Sequence, residues 1–311
     1  MKVKKKKKFN FGKFFRELSL KKVLYWTPVV LVALILFINA VTLLYPVLWG
    51  VNMSFKDIIA YTIEPNTLTK DFHFENYTNI PSILKVQVLT TKGILNIGFF
   101  TMLKNTVIWA IFQPLPSAIF GVLVAYVIAI YQNGFTKFLY QLGIVLMCLV
   151  VVGTFPAQYA FYAKLGIMDN MFLLIILSPQ GCFSGFTFLL YYNIYKGVPK
   201  DYADAARIDG AGHWQTFFIA YLPHIFPLAF MYYIMSVLGS WNDYNTFLIW
   251  LPSYPNLTYG VYLFQFEAKT NGATLPEIIA AFFIVALPTV CFYLFMDKQL
   301  VAKLKVTGLK G

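Results

Sequence analysis

The sequence contains few charged residues. Only 12% of its 311 residues are Asp, Glu, Lys or Arg, whereas 59% are hydrophobic, and a soluble globular domain carries roughly twice that charged fraction. This composition excludes an ordinary soluble domain. The charges are also unevenly spaced, and they leave uncharged windows long enough for a bilayer, which a helix crosses with about 20 apolar residues. The chain is therefore predicted to be an all-α membrane protein.

Cysteine and histidine are scarce too, with three of each. None of them has the spacing of a zinc site or of a Cys-x-x-Cys motif. The phosphate-binding loop of an ATPase is not found either, because Gly12-Lys13-Phe14 lacks the leading glycine and the final hydroxyl. We therefore expect no metal, no cofactor and no enzymatic activity in this chain. The residues concerned are Cys148, Cys182, Cys291, His73, His213 and His224.

Six uncharged windows approach or exceed the length of a membrane span. Each must be helical, because lipid offers no water to satisfy an exposed backbone. The predicted spans are residues 23–48, 105–130, 139–163, 171–194, 225–248 and 278–296.

Basic residues are concentrated before the first span, in residues 1–22. If this end is cytoplasmic, six spans also place the tail, residues 299–311, inside, and 18 of the 25 basic residues then lie on that side. That asymmetry is the one membrane proteins show. The run Lys4 to Lys8 is expected to meet anionic lipid rather than nucleic acid. The first window is longer than the apolar core of a signal peptide, so we expect no cleavage.

This orientation assigns sides to the loops within a single membrane domain, residues 23–298. The long segments 49–104 and 249–277 are predicted to be external. The segment 195–224 is predicted to be cytoplasmic, and its residues 197–223 form the most informative part of the chain. We call residues 197–223 the coupling segment.

The coupling segment begins with a short predicted helix. Pro199 suits a first helical position, Asp201 and Asp204 suit the positive end of the helix dipole, and Gly210 suits a helix stop. Three alanines between these signals make a small surface that another protein can approach closely. A second, aromatic helix is predicted over 213–221.

The coupling segment resembles the cytoplasmic loop of permease subunits of binding-protein-dependent ABC importers. The family pattern is Glu-Ala-Ala, two residues, Asp-Gly-Ala, then Leu-Pro and a further Pro. The matching residues are Asp204-Ala205-Ala206, Asp209-Gly210-Ala211, Leu222-Pro223 and Pro227. Asp204 replaces the usual Glu, and Ala220 stands where Ile is common.

Further segments are similar to the carbohydrate branch of this family, to subunits of the maltose type. They are Ser54-Phe55-Lys56, Glu75-Asn76-Tyr77, Leu165-Gly166-Ile167, Trp241-Asn242-Asp243-Tyr244 and Gly308-Leu309-Lys310-Gly311. The resemblance implies a type I importer permease for a sugar or oligosaccharide in the cytoplasmic membrane of a prokaryote. It implies four kinds of partner: membrane lipids, a second similar permease, two ABC ATPase subunits, and an extracellular or lipid-anchored solute-binding protein.

In this family the loop forms a helix that seats in a cleft of the ATPase. The residues that the resemblance assigns to this contact are Asp204, Ala205, Ala206, Arg207, Asp209, Gly210 and Ala211. A carboxylate at position 204 would suit an arginine of the ATPase, whose fork geometry matches it.

Polar residues inside the spans mark candidates for the solute pathway. They are Gln113, Gln158, Asn242 and Asp243. The two glutamines are equally suited to hydrogen bonds between helices, and Trp241 and Tyr244 to an interfacial aromatic belt. The external loop 249–277 corresponds in position to the family's contact with the binding protein, with Tyr254, Tyr259 and Tyr262 as candidates.

Two other classes of transporter remain open. One is a permease for another solute, such as an amino acid or a polyol. The other is a secondary transporter or a channel, although the nearly charge-free spans favour energy supplied by a partner over coupling groups within the membrane.

Overall fold

The computed structural model describes residues 20–90, 93–149, 153–178, 182, 185–267 and 272–307. The chain divides into two units, one ending at Phe72 and one beginning at His73. Each unit is described by itself below.

The first unit consists of one long helix and a short folded extension. Helix α1 spans Leu20–Ser54 and helix α2 spans Ile58–Ile63. The side chains from Trp26 to Leu48 are all exposed, as expected for a helix whose partners are lipid or other subunits. Two prolines lie within α1, which membrane helices tolerate.

The extension after α1 is held by polar side chains. Asn52 donates to the Thr67 carbonyl at 2.9 Å and accepts from the Thr69 amide at 2.8 Å. Lys56 is only 2% exposed, and its ammonium group donates to the Glu64 carbonyl and to Thr67 Oγ1. A buried lysine needs such partners, and these bonds fold the chain back after the membrane helix.

The second unit contains a β-hairpin and fifteen described helices, one of them a π-helix. Before the coupling segment, in chain order, the elements are α3 (Glu75–Thr78), α4 (Ile80–Ile83), β1 (Lys85–Thr90), β2 (Gly93–Gly98), α5 (Phe99–Phe112), α6 (Pro114–Ile130), α7 (Gly134–Cys148), α8 (Phe155–Lys164), α9 (Met171–Ile176) and α10 (Phe186–Gly197).

From the coupling segment onward, the helices follow one another with short breaks. They are α11 (Lys200–Ile208), α12 (His213–Thr216), the π-helix (Phe217–Tyr221), α13 (Leu222–Trp241), α14 (Asn245–Ile249), α15 (Leu257–Glu267) and α16 (Leu275–Thr307).

Four helical segments are long and apolar enough to cross a membrane. They are Trp26–Ser54, Phe99–Ile130, His213–Trp241 and Leu275–Leu294. These correspond to the predicted first, second, fifth and sixth spans. Two of these segments consist of consecutive helices. Gln113 joins α5 directly to α6, and α12 continues through the π-helix into α13.

The prediction of one continuous helix over 139–163 and another over 171–194 is wrong. In the first window α7 ends at Cys148, and α8 begins at Phe155 after Gly153, whose φ is +79°. Pro156 fits the first turn of α8 but would interrupt a helix arriving from before it. In the second window α10 begins after Gly185, whose φ is +137°. The number of six spans therefore stays a prediction.

The prediction of an all-α fold is also wrong in part, because β1 and β2 form an antiparallel hairpin. Val86 and Val88 are buried while Gln87 and Leu89 are exposed, the period of two that a half-buried strand requires. The mostly helical class is confirmed, but residues 49–104 are not simply a loop: they contain the hairpin and the ends of two helices.

Two large hydrophobic cores and a smaller one around Phe247 organise the described part of the second unit. One gathers the hairpin, α5, α15 and α16 around Met102, Val261 and Ala281. The other large core consists of residues from α6, α10, α11, the π-helix and α13, and it includes Ala125, Tyr195 and Ile225. The coupling segment is therefore built onto the ends of helices that run through the unit.

Candidate functional site

The coupling helix α11 (Lys200–Ile208) forms where the sequence predicts it, one residue later than the predicted start. Pro199 is the N-cap, with φ −56°, and its fixed φ suits helix initiation. Asp201 lies in the first turn, where a carboxylate stabilises the positive end of the helix dipole. The local signals in the sequence therefore account for this helix.

The helix ends in a Schellman motif at Gly210. The Gly210 amide donates to the Arg207 carbonyl at 3.0 Å, and the Ala211 amide donates to the Ala206 carbonyl at 2.9 Å. Gly210 has a φ of +85°, which glycine adopts at little cost and most L-residues do not. The Asp-Gly-Ala sequence is therefore a helix stop that turns the chain into the aromatic helix.

The predicted contact residues fall on two faces of this segment. Asp204, Ala205, Arg207, Asp209 and Gly210 are exposed. Ala206 is buried, as is Ala203, and Ala211 is half-buried. Ala203 packs on the chain's own core, so its small size brings α11 close to the helices behind it. Ala205 is the small residue that faces outward.

Large apolar side chains are exposed along the coupling segment as well. Ile208 is 86% exposed and Trp214 is 63% exposed, and Tyr202, Phe218 and Ile219 are also more than half exposed. So much apolar surface next to charged residues marks an interaction site. Asp204 and Arg207 form an ion pair across one helical turn, at 3.3 Å.

The predicted aromatic helix is confirmed, with a feature that the sequence does not indicate. Residues Phe217–Tyr221 form a π-helix between α12 and α13. A π turn is rare, and it frequently occurs at functional positions of helices. Here it orients Phe217 and Tyr221 inward and leaves Phe218 and Ile219 exposed.

Among the pathway candidates, Gln113 lies at the junction of α5 and α6. Its Oε1 accepts a hydrogen bond from the Ser240 hydroxyl at 2.8 Å. Ser240 lies in the last turn of α13, next to the other candidates Asn242 and Asp243. The structure thus brings Gln113 and the end of α13 together, as interhelical hydrogen bonding predicts.

The Asn242 and Asp243 side chains have structural partners of their own. The Asn242 amide donates to the Leu238 carbonyl at 3.0 Å. Asp243 Oδ1 accepts from the Thr246 amide at 3.0 Å, which caps the start of α14. Asn242 remains exposed and Asp243 half-exposed, so both keep a free surface as well.

Gln158 has different neighbours from the other three pathway candidates. It is half-buried on α8, whose aromatic residues surround Trp250. The Phe155, Tyr159 and Tyr162 rings lie 5.7, 5.9 and 5.1 Å from Trp250. Asp169 joins this group, because its amide donates to the Trp250 carbonyl at 2.8 Å and its Oδ1 accepts from the Ser253 amide at 2.9 Å.

A buried polar network beside α13 was missed by the sequence analysis. Asn256 is fully buried; it donates to the Asp243 carbonyl at 2.8 Å and accepts from the Tyr259 amide at 2.7 Å. Asn105 donates to the Pro255 carbonyl at 3.0 Å, and Thr106 accepts from the Leu257 amide at 2.8 Å. The signal was the Asn-Thr pair at the start of an apolar span.

The loop tyrosines occupy three environments. Tyr254 is exposed, Tyr259 packs beside the hairpin core, and Tyr262 stacks on Tyr244 with ring centroids 4.8 Å apart. Tyr244 therefore has an aromatic partner within the chain, and its place in an interfacial belt stays a prediction.

A cavity of about 200 Å³ lies between α6, α10 and α13. Hydroxyl and aromatic side chains line it, including Ser117, Thr187, Ser236, Tyr232 and Tyr233. Hydroxyls and rings side by side suit a polar, carbon-rich solute better than an ion. No predicted pathway residue lines this cavity.

Comparison with known proteins shows that the sequence matches one family. The sequence model of the family described as "Binding-protein-dependent transport system inner membrane component" matches residues 12–301. The chain is similar to the melibiose/raffinose/stachyose import permease protein MelC of Bacillus subtilis (strain 168), with 28% identity over 207 residues, 67% of this chain and 75% of that protein.

Other relatives match over more of their length. The galactooligosaccharides transport system permease protein GanQ of Bacillus subtilis (strain 168) is 25% identical over 281 residues, 89% of this chain and 94% of that protein. The arabinooligosaccharides transport system permease protein AraQ of Halalkalibacterium halodurans is 25% identical over 292 residues, 93% of this chain and 98% of that protein.

A solved structure shares the fold. It is the crystal structure of a bacterial ABC transporter involved in the import of the acidic polysaccharide alginate. One chain of it superposes with a TM-score of 0.69 at 21% identity, over 90% of this chain and 98% of that chain.

Proposed function

We propose, since this chain belongs to the family of binding-protein-dependent transport system inner membrane components, that it is a permease subunit forming half of the membrane pathway of an ATP-driven importer. The solute we propose is a sugar or oligosaccharide, delivered by an external binding protein.

The observation that carries this proposal is the construction of the coupling segment. Helix α11 is attached from behind by Ala203 and Ala206 and presents Asp204, Ala205 and Arg207 outward. A nine-residue helix is marginal alone in water, so its packing on the core explains why it is ordered. A short rigid helix with an exposed charged face and an apolar rim fits a cleft of a partner protein.

The partner that we propose for this face is an ABC ATPase subunit. Ile208 is exposed on α11 itself and Trp214 and Phe218 are exposed in the helices that follow it, and exposed aromatic residues are typical of binding hot spots. One such subunit on each permease gives two ATPases in the assembly. ATP hydrolysis then takes place on those partners.

The orientation that we propose places α11 and both termini in the cytoplasm of a prokaryotic cell. The basic N-terminal residues support it, and Lys4 to Lys8 add an attraction to anionic lipid. The exposed side chains of α1 leave a large apolar surface, which we assign to lipid and to a second, similar permease subunit.

The solute class rests on two kinds of support. The named relatives import melibiose, raffinose, stachyose, galactooligosaccharides or arabinooligosaccharides. The Gln113–Ser240 pair and the exposed Asn242 offer amide and hydroxyl groups at the end of α13, and sugars are bound through such groups. An amino acid or a polyol would bind through the same groups, so the uptake experiment compares saccharides with an amino acid and a polyol.

The test is uptake by liposomes that contain the complete complex, with ATP inside and the binding protein outside. Radiolabelled raffinose, melibiose, an arabinooligosaccharide, glutamine and sorbitol are compared. We expect ATP-dependent accumulation of at least one saccharide and of neither glutamine nor sorbitol. Transport of any of these solutes by the purified chain alone, without ATPase subunits, would overturn the proposal.

A further inference from the structure

Four tyrosines and one phenylalanine form a compact group in the core behind the coupling helix. We call it the tyrosine cluster, and its members are Tyr126, Tyr131, Tyr195, Phe217 and Tyr221. Tyr126 is central: its ring centroid lies 4.8 Å from Phe217, 5.2 Å from Tyr221, 5.6 Å from Tyr195 and 6.0 Å from Tyr131. Tyr126, Phe217, Tyr195 and Tyr221 are all buried.

The cluster joins the ends of three helices. Tyr126 lies near the end of α6, Tyr195 near the end of α10, and Tyr221 in the π-helix that continues into α13. Each helix therefore contributes a ring to one packed group. Protein interiors are close-packed, so a displacement of one ring forces the others to move.

The coupling segment contributes Phe217 and Tyr221 to this cluster and also contacts it through α11 and α12. The Tyr131 hydroxyl lies 3.2 Å from His213 Nδ1, at the start of α12. Ala203 of the coupling helix belongs to the same core as Tyr126 and Tyr221. A displacement of α11 or α12 therefore acts on the cluster through direct contacts.

One polar group in the cluster lacks a partner. The Tyr195 side chain is 1% exposed, and its hydroxyl has no hydrogen bond to any residue that the structure describes. Buried polar groups are nearly always satisfied, and each exception calls for a physical explanation. The Tyr126 and Tyr221 rings, which also carry hydroxyls, lie 5.6 and 6.2 Å from the Tyr195 ring, centroid to centroid.

We infer that the tyrosine cluster transmits movement of the coupling segment to α6, α10 and α13, and that the Tyr195 hydroxyl gains a hydrogen bond in a second conformation. This inference rests on the proposed function, because it assigns positioning residues to the ATP-driven movement. The hydroxyl favours the second conformation, since only there is it paired. The cluster is thus an element with two arrangements that both the ATPase and the pathway can bias.

The experiment measures a distance across the cluster in the complete complex, in lipid. Spin labels are placed at the exposed positions Asn193 and Ile219 after the three native cysteines are replaced, and pulsed electron resonance is recorded with and without ATP. In the parent complex we expect ATP to change the distance distribution. Tyr195→Phe should raise the ratio of the first conformation to the second by about tenfold, the scale of one hydrogen bond to a buried group.

Tyr192→Phe is the matched control, because Tyr192 lies on the same helix and stacks on Tyr140 outside the cluster, 4.4 Å away. It should leave the ratio unchanged. Two double variants identify the residue that pairs with the Tyr195 hydroxyl in the second conformation. Adding Tyr221→Phe or Tyr126→Phe to Tyr195→Phe should leave the ratio at its Tyr195→Phe value if the added change removes that partner's hydroxyl. Tyr221→Leu, which removes a ring, should abolish the response to ATP while the complex still hydrolyses it.

The outcomes separate this inference from the proposed function. If the parent complex shows no ATP-dependent change and no ATP-dependent uptake, the proposed function fails. If the parent responds but Tyr195→Phe behaves as Tyr192→Phe does, the inference is overturned and the proposed function stands. Equal stabilisation of both conformations by Tyr195→Phe also overturns it, because the hydroxyl would then be unpaired throughout.

Discussion

Arg207 Nη1 lies 3.3 Å from Asp204 Oδ1, so the carboxylate that we assign to the ATPase contact is already paired within its own helix. Both side chains are more than half exposed. An exposed ion pair of this kind is worth only about 0.2–1 kcal/mol, so a partner's arginine can replace Arg207 at little cost. The pair therefore orients the carboxylate without blocking it.

Replacing Asp204 by Lys should uncouple ATP hydrolysis from uptake. A lysine presents a positive charge to an arginine and leaves both without a partner, so we expect uptake to fall at least about tenfold, the equivalent of 1.4 kcal/mol. The measurement is ATP-driven uptake together with ATP hydrolysis by the reconstituted complex.

Two variants control this result. Asp204→Glu keeps the charge and restores the family's usual residue, so uptake should stay near the parent level. Asp201→Lys changes an exposed charge one turn away and should have a smaller effect than Asp204→Lys. Full uptake by Asp204→Lys would remove Asp204 from the contact.

Gly210 is expected to tolerate few residues, because its φ is +85°. Gly210→Ala should cost about 1–2 kcal/mol of local stability, loosen the Schellman turn and reduce co-purification of the ATPase. Gly210→Asn should be milder, since Asn enters the left-handed region more readily. The comparison is the amount of ATPase retained per permease. Equal losses for Ala and Asn would contradict a conformational cause.

Gly260 is required for space rather than for backbone conformation. A Cβ at this position would lie 2.5 Å from the Sδ atom of Met102, and Met102 is fully buried. We therefore expect Gly260→Ala to lower the free energy of unfolding by about 1–3 kcal/mol, measured by thermal denaturation in detergent.

The chain offers a matched control for this substitution. Gly239 lies in α13 with open space around its Cα, so Gly239→Ala should be neutral or slightly stabilising. Adding Met102→Ala to Gly260→Ala should cost less than the sum of the single changes, because the clash is then gone. Strict additivity would argue against the close contact.

Asn256 is expected to hold the loop after α13 in place. Its replacement by Ala removes one hydrogen bond to the Asp243 carbonyl and one from the Tyr259 amide, at a cost of about 1–3 kcal/mol. We expect a lower unfolding temperature and faster proteolysis of the loop. Asn245→Ala, at an exposed position, should change neither. The same result for both variants would contradict the anchoring role.

The sequence predicts best the parts of the fold that depend on local signals. Pro199, Asp201 and Gly210 define the coupling helix within one residue, because capping, dipole and backbone preferences all act within a single turn. Four of the predicted spans have helices of sufficient length, since hydrophobic length is itself the physical requirement.

The parts that depend on distant contacts could not be predicted. Asn105 meets Pro255 across 150 positions, and nothing local pairs them. The alanine pattern indicates a small face, yet only the packed structure shows that Ala203 and Ala206 face inward while Ala205 faces out. The hairpin was missed because its alternation lies in a segment that we treated as a loop.

The broken third and fourth windows show the limit of counting apolar residues. Composition alone makes 139–163 and 171–194 resemble continuous spans. Gly153 and Gly185 have positive φ values shortly before α8 and α10, a backbone conformation that a continuous α-helix does not contain. Pro156 adds a second stop in the first window.

The central claim is that the outward face of α11 lies in the cytoplasm against an ATPase. The most direct measurement is labelling of a single cysteine in Ala205→Cys, with Cys148, Cys182 and Cys291 replaced, by a membrane-impermeant maleimide. We predict labelling in inside-out vesicles, protection when the ATPase subunits are bound, and no labelling in right-side-out vesicles. Labelling from the outer surface, or equal labelling with and without the ATPase, would contradict the account.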